Sequence, residues 1–487
     1  MAASNINAGL LDCDWPSVGR DASNSNALPE NCGLAGKDNS VLWKATLKSA
    51  VITKPLISQD YLIVGTSDNT LTALHRVNGK VLWTAKTAKK IANNPFCEGN
   101  KVFASFGDSV ASYDTANGSL LWNAKTDFEI TSQIVGYNGK ILFPTKDKTF
   151  KCLSASDGKE LWSYFSGELI TGMPAISDDT VFIAGRKLIA LTLEKGKKLW
   201  ELTLDEANTA TVMAFDKRVY VKLDKTIYAI ETDTGNPRWK YSAQKKSLSP
   251  SILNKKLYFV SEDFQLYCLD ANFFGKACCI STGKRLWGYT NSTLFHQTPI
   301  PCGDFLYAIS ADNRVMCIDN EKGNLLWDYK PGQFLDNAVI CGKCLYVAED
   351  NSITAYTKTA DLLKFKQGKQ NYFRDEYEML MDSAPVTIKN KAFIPAKFAI
   401  EPFGGTIAWT QSTKTVKCTL NGNTLQMTVG SNQAKLGAKT VQIDSDKSIV
   451  PIIQNGRVLV PMRFLCEGLG LTVGYEQKTS EILISRR

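Results

Sequence analysis

Histidine is almost missing from this chain: His75 and His296 are the only two among 487 residues. A copper site held by three imidazoles is therefore excluded. Long apolar runs are missing too. No stretch of about 18 apolar residues occurs, so the chain as given carries no membrane-spanning helix pattern. The opening "MAASNINAGLLDCDW" has neither the basic segment nor the apolar core of a signal peptide. Thirteen cysteines are present, but "CGKC" at Cys341 and Cys344 has no partner pair, which removes a zinc-finger reading. Basic residues do not interleave with aromatics in a base-stacking pattern, and no nucleic-acid module is recognisable.

What is present describes a folded protein. Apolar residues make up 44% and charged residues 22%, close to the globular average. The length exceeds the roughly 250–300 residues at which single cores split, so two domains are expected unless a repeat extends one. Both conditions apply here.

Tryptophans fall at Trp43, Trp83, Trp122, Trp162, Trp200, Trp239, Trp287 and Trp327, with gaps of 40, 39, 40, 38, 39, 48 and 40 residues. A glycine stands four places before seven of them: Gly79, Gly118, Gly158, Gly196, Gly235, Gly283 and Gly323. One Gly and one Trp per period of about 40 indicates a propeller or a similar array. Within a unit, "DFLYAIS", "NRVMCID" and "NLLWDYK" read as short strands bounded by Gly, Asn and Asp. A further strand near Pro299 to Cys302 makes four. One such sheet cannot bury both faces alone, and stacking sheets around an axis solves that.

The glycine is expected in the hairpin before the last strand, where a positive φ is cheap without a side chain. The Trp then offers a broad ring to the neighbouring sheet and its N–H reaches a backbone acceptor there. Seven units end at their own Trp. An eighth set, "NAVICGKCLYVAEDNSITAYT", is followed by "ADLLKF", which has no Trp, while Trp43 has no strands before it. The expectation is a mostly β chain with an eight-bladed propeller of four-stranded antiparallel blades, closed by Val41 to Lys48.

These repeats, with "SYDTANGSLLW", "AIETDTGNPRW" and the opening "DWPSVGRDASNSNAL" (Trp15, Pro16, Arg20), resemble the PQQ-type (quinoprotein-type) β-propeller repeat over about residues 11 to 365. That family includes quinoprotein dehydrogenases, an outer-membrane assembly lipoprotein and other envelope proteins, so fold does not fix function. In the dehydrogenases the resemblance implies PQQ near the axis against a vicinal disulfide, calcium held by carboxylates and amides, and an Asp base. "ACCI" supplies Cys278 and Cys279, but in the extra residues that lengthen the sixth gap, at the periphery of a propeller. No calcium or base motif matches, so no cofactor and no catalysis are expected. A lone His296 without a partnered Ser, Cys or carboxylate reads as a loop residue.

Past Lys364 the period stops. Residues 1–40 read as a lead-in, 41–365 as the propeller, 366–380 as a linker and 381–487 as a small α+β domain. Its two related units start at Ile388 and Ile453, each a strand, a short helix after Pro395 or Pro461, a Gly-containing turn and two strands. "NGRVLVPMRFLCEGLG" resembles the stalk domain, or copper amine oxidase N-terminal-like domain, of Gram-positive surface proteins. From Met381 onward there are 13 Lys and Arg against 7 Asp and Glu, a net +6 of the chain's +9. Two readings stand: a solvated Lys-rich face, or attraction to acidic wall polymers or another negative partner.

Binding is expected on the loops from each outer strand to the next inner strand, since loops on rigid scaffolds carry function. Phe128, Glu129, Phe165, Glu168, Phe295, His296, Phe334 and Asp336 mark that rim and would suit a protein or glycan partner. Cys152, Cys268 and Cys317 take a repeat position where other units have Ala, so they read as small buried residues. Cys13 with Cys32 is the candidate disulfide pair, and Cys278 and Cys279, in a surface insertion, are candidates for a structural or intermolecular disulfide. The whole describes a non-enzymatic, extracytoplasmic protein that binds or scaffolds protein partners, with a stalk-like module for spacing, attachment or self-association. The alternatives are a PQQ- and calcium-dependent dehydrogenase and a wall-polymer binder.

Overall fold

The computed structural model describes residues 19, 21, 23–28, 33–34, 36–204, 211–273, 280–335, 337–375, 377–477 and 479–486. Calls on Cys13, Trp15, Pro16, Arg20, Cys32, Cys278, Cys279 and Asp336 lie outside them.

Eight sheets form the ring, as the period predicts, seven of four strands and one, blade 5, with a fifth strand added. Blade 1 consists of Leu56–Ser58, Tyr61–Thr66, Thr70–His75 and Val81–Lys86, and blades 2 to 7 repeat that order. The second and third strands are buried on both faces; Arg218–Leu223 in blade 5 is buried throughout. The outer strands alternate, Lys198–Thr203 for example, because their far side meets water. Blade 8 takes Asn337–Cys341, Cys344–Glu349 and Ser352–Lys358 from the end of the repeat and Asn39–Thr46 from its beginning, with Trp43 opposite Ala355. Ring closure is therefore a pairing of strands some 300 residues apart, and it leaves the ring no open edge.

The Gly-to-Trp spacing acts between blades. A Cβ on Gly118 would lie 2.4 Å from Cε3 of Trp83, and a Cβ on Gly79 would lie 2.4 Å from Cε3 of Trp43. The same holds for Gly158 with Trp122, Gly196 with Trp162, Gly235 with Trp200, Gly283 with Trp239 and Gly323 with Trp287. Each glycine thus admits the ring of the preceding blade. Those indoles also donate to the next blade's turn, Trp83 Nε1 to Thr115 O at 2.7 Å and Trp162 Nε1 to Leu193 O at 3.0 Å. Six of these glycines have positive φ; Gly283, which follows the long insertion, does not. At that junction Ser281–Thr282 adds a fifth, parallel strand beside Trp239, and Ala271 O accepts from Arg218 and Tyr220 instead of from an indole. Cys152, Cys268 and Cys317 are fully buried free thiols, as their Ala-equivalent positions require, and burial pushes each thiol up to about 12.

The boundary with the second domain differs from expectation. Leu362–Lys366, which begins in "ADLLKF", leaves blade 8 and pairs with the C-terminal strand Glu481–Arg486, Leu363 opposite Ile484. Asn371–Arg374 and Tyr377–Leu380 continue the same five-stranded sheet. Residues 366–380 therefore do not form a linker; their apolar Tyr372, Tyr377 and Met379 are core residues. The two units expected beyond are present. Their central strands pair antiparallel, Phe393 with Pro461, Ile394 with Val460 and Pro395 with Leu459, which places the matching residues Ile394 and Val460 on a local two-fold axis. A short helix follows each proline, Ala396–Ile400 and Met462–Gly468, and the first unit adds a five-stranded meander from Thr406 to Gln442.

The domains share one core. Arg374, almost fully buried, donates to Val41 O at 2.8 Å, Ser40 Oγ at 2.9 Å and Lys358 O at 2.6 Å, all on the closing blade. Ser40 Oγ donates to Pro402 O at 3.0 Å and Ala360 N–H to the same carbonyl at 2.7 Å. The stalk domain is therefore fixed to the strand pair that closes the ring.

Candidate functional site

Loops that join an outer strand to the next inner strand share one end of the ring with the tight turns between second and third strands. Three predicted rim residues stand exposed there: Phe128 at 48%, Phe165 at 68% and Phe334 at 66%. Ile52, Leu169, Phe264 and Leu294 join them as exposed apolar side chains from the same loops and turns. Glu129 is ion-paired with Lys146 at 3.2 Å. Glu168 turns back to accept the Lys187 N–H at 2.7 Å, so it organises its own loop.

Phe295 does not belong to the rim. It is 6% exposed and packs with Tyr258, Leu266 and Leu306 between blades 6 and 7. The repeat explains why: Phe295 follows Trp287 by the same eight residues that separate Ile91, Ile130 and Ile170 from their own tryptophans, and all of these are buried. His296 is drawn in beside it, its N–H donating to Ile309 O at 3.2 Å.

Inside the rim lies a basin of about 410 Å³ on the propeller axis, to which every blade contributes. Its wall is made of residues at or just before the inner strands, among them Lys54, Asn93, Gln133, Thr171, Thr211, Ser249 and Thr298. The N-terminal segment completes it. Ser23 to Leu28 crosses the inner strands of blades 4 to 7: Ala214 N–H donates to Ser23 O at 3.0 Å, Ile252 N–H to Ser25 O at 2.9 Å, and Leu28 N–H to Pro301 O at 2.8 Å. Asn24 Nδ2 donates to Pro174 O and Val212 O at 3.0 and 2.9 Å, and Asn26 Nδ2 to Pro250 O at 3.1 Å. Two asparagines in left-handed conformation thus hold an irregular segment against the axis, a backbone form Asn tolerates well.

Among the described residues, Lys54 is the single charged side chain in the basin wall. Burial holds its ammonium below the usual lysine range, and it makes no ion pair among the described residues. The sequence reasoning missed both Lys54 and the asparagines, although Lys54 stands eleven residues after its Trp, where the equivalent residues Gln133, Thr211 and Thr298 are neutral.

The donor set does not fit calcium with a quinone. Among the described residues no carboxylate lines the basin, so a divalent ion would find only amide, hydroxyl and carbonyl oxygens there and an Asp base has no position. Among the described residues, no group of three His, Cys, Asp or Glu could hold a metal ion.

Comparison with known proteins agrees with this architecture. Residues 29–135, 184–273 and 275–372, more than half of the chain, match the family model described as outer membrane protein assembly factor BamB. Residues 373–484 match the copper amine oxidase N-terminal domain. Outer membrane protein assembly factor BamB of Nitrosomonas eutropha is 29% identical over 182 residues, 35% of this chain and 44% of that protein. The chain spans about half the length of the curated relatives it matches. BamB from Moraxella catarrhalis superimposes with a TM-score of 0.52 at 17% identity, covering 66% of this chain and 97% of that one. Quinohemoprotein alcohol dehydrogenase from Comamonas testosteroni gives 0.55 at 12% identity, covering 73% and 82%. At those identities the structural likeness is one of fold alone, and it reaches an assembly factor and an enzyme alike. By its propeller repeats the chain belongs to the family described as outer membrane protein assembly factor BamB, and it carries a copper amine oxidase N-terminal domain behind the propeller.

Proposed function

We propose that this protein is a non-catalytic, extracytoplasmic propeller that binds protein partners on its loop face, with the stalk domain holding that face at a fixed distance and orientation. The observation that carries the reading is the ring of exposed apolar side chains, Phe128, Phe165 and Phe334 foremost, around a basin without a carboxylate. Exposed aromatics gathered on one face are the composition of an interface core, where Phe and Tyr are enriched and charges depleted. The relatives named as assembly factors support protein binding over catalysis. A dehydrogenase would need a carboxylate base and carboxylate metal ligands at the axis, and among the described residues the basin wall has no carboxylate.

The test is site-specific photocrosslinking in the native envelope fraction. A photoreactive residue at position 165 or 334 is expected to give discrete adducts, and one at exposed Lys159, on an outer blade turn, none. Equal labelling at all three positions, or none at the rim, would reject the loop face as the binding surface.

A further inference from the structure

The basin opens at the same end of the ring as the rim, which bears on what kind of segment the face accepts; the following rests on the loop-face reading above. Lys54 is a partly buried ammonium whose side chain makes neither an ion pair nor a hydrogen bond among the described residues. A charge withdrawn from water without a partner is costly, and an incoming anion recovers that cost. Polar side chains elsewhere in the wall include the amides of Asn93 and Gln133 and the paired hydroxyls of Thr211 and Ser249, groups that can donate to a carboxylate. Among the described residues, no acidic side chain in the wall competes for Lys54. The surrounding rim is apolar at Phe128, Phe165 and Phe334.

We infer that the loop face recognises a partner segment by an aspartate or glutamate side chain that enters the axial basin and pairs with Lys54, while apolar residues flanking that acid rest on the phenylalanine rim. Three features of the molecule point the same way. Among the described residues the basin wall has one cation and therefore room, in charge, for one anion. Its volume of about 410 Å³ suits a loop tip or a single turn of chain. The N-terminal segment from Ser23 to Leu28 occupies the axis beside it, pinned by backbone hydrogen bonds to three blades and by the Asn24 side chain to a fourth, so the partner contributes a side chain from above the rim and does not thread through the ring.

The experiment uses the full chain and a matched set of fluorescent cyclic peptides with Leu and Phe flanking one central residue, Glu, Gln or Lys, with binding read by fluorescence polarisation. The expected result is a preference of about tenfold for Glu over Gln, at the lower end of couplings measured for close charge pairs across interfaces, and weaker binding of the Lys peptide. Lys54→Gln should bring the Glu-to-Gln ratio close to one, and Lys54→Arg should keep it. Phe165→Ser with Phe334→Ser should weaken the Glu and Gln peptides by the same factor. A Glu peptide that binds no better than its Gln counterpart, or a preference that survives Lys54→Gln with an unchanged melting temperature, overturns the inference while leaving the loop-face reading standing. If rim substitutions leave the binding of every peptide unchanged, or no peptide binds, the loop-face reading falls and this inference with it. Competition by free glutarate that depends on Lys54 without depending on the rim would assign the basin to small dicarboxylates and overturn the partner-segment inference.

Discussion

Substituting Gly118 by Ala isolates what the repeated glycine does. Gly118 has a φ of +72°, and an added Cβ would come within 2.4 Å of Cε3 and 2.7 Å of Cδ2 of Trp83. The left-handed backbone alone costs a non-glycine residue about 1–2 kcal/mol. A rigid indole, 8% exposed and anchored by its bond to Thr115 O, cannot swing away freely, so overpacking adds roughly 1–3 kcal/mol. The total is about 2–5 kcal/mol, which at about 2 °C per kcal/mol for a large domain lowers the melting temperature by ~4–10 °C. Gly99 supplies the control: its φ is +60° and nothing lies within 4 Å of its would-be Cβ. Gly99→Ala should therefore lose only the backbone part, about 1–2 kcal/mol. Scanning calorimetry of the two variants compares them directly, and near-ultraviolet circular dichroism should report a displaced indole in the first alone. Equal shifts would show that the glycines serve only turn geometry, and the account of blade docking through Gly and Trp would be wrong.

Arg374→Met should separate the two domains' melting, since it leaves Val41 O and Lys358 O without their buried donor, at about 1–3 kcal/mol for each unsatisfied group; a single unchanged calorimetric transition would refute the clamp. The raised thiols of Cys152, Cys268 and Cys317 predict an alkaline weakness. Folded, they keep their protons; unfolded, they release them near ~8.5. Their stabilising contribution is therefore complete below that pH and is lost as pH rises toward about 12. Urea midpoints measured from pH 8 to 11 should fall less steeply when the three are replaced by Ala, and the native protein should resist iodoacetamide at pH 8. Photocrosslinks from positions 165 and 334, and the Glu-over-Gln peptide preference that depends on Lys54, test the binding face itself.

The parts of the fold that could be read from the chain are those written in one short stretch and repeated. Gly118 and Trp122 lie four residues apart, and the unit recurs often enough that the blade, its hairpin and its inter-blade ring follow from sequence patterns alone. The same local reading failed where the partner is remote. Leu362–Lys366 reads locally as the last outer strand of the propeller and Asn371–Arg374 as part of a charged connector, yet both join the second domain's sheet because Glu481–Arg486, more than a hundred residues on, pairs with the first of them. Nothing in the connector specifies that partner.

The binding face falls between these cases. Phe128, Phe165 and Phe334 were legible as loop aromatics, but Phe295 was grouped with them by residue type when its distance from Trp287 marks a core position. Lys54 was legible by the opposite test, a charged residue at a repeat position that is neutral in Gln133, Thr211 and Thr298. In a repeat protein the position within the unit decides whether a side chain faces the core, the axis or water, and residue type then says whether it obeys the position or departs from it. Phe295 obeys. Lys54 departs, at the one place where eight blades converge, and a departure placed there costs desolvation in every copy of the protein that lacks a bound anion. That cost makes Lys54 the first residue to alter when asking what this propeller binds.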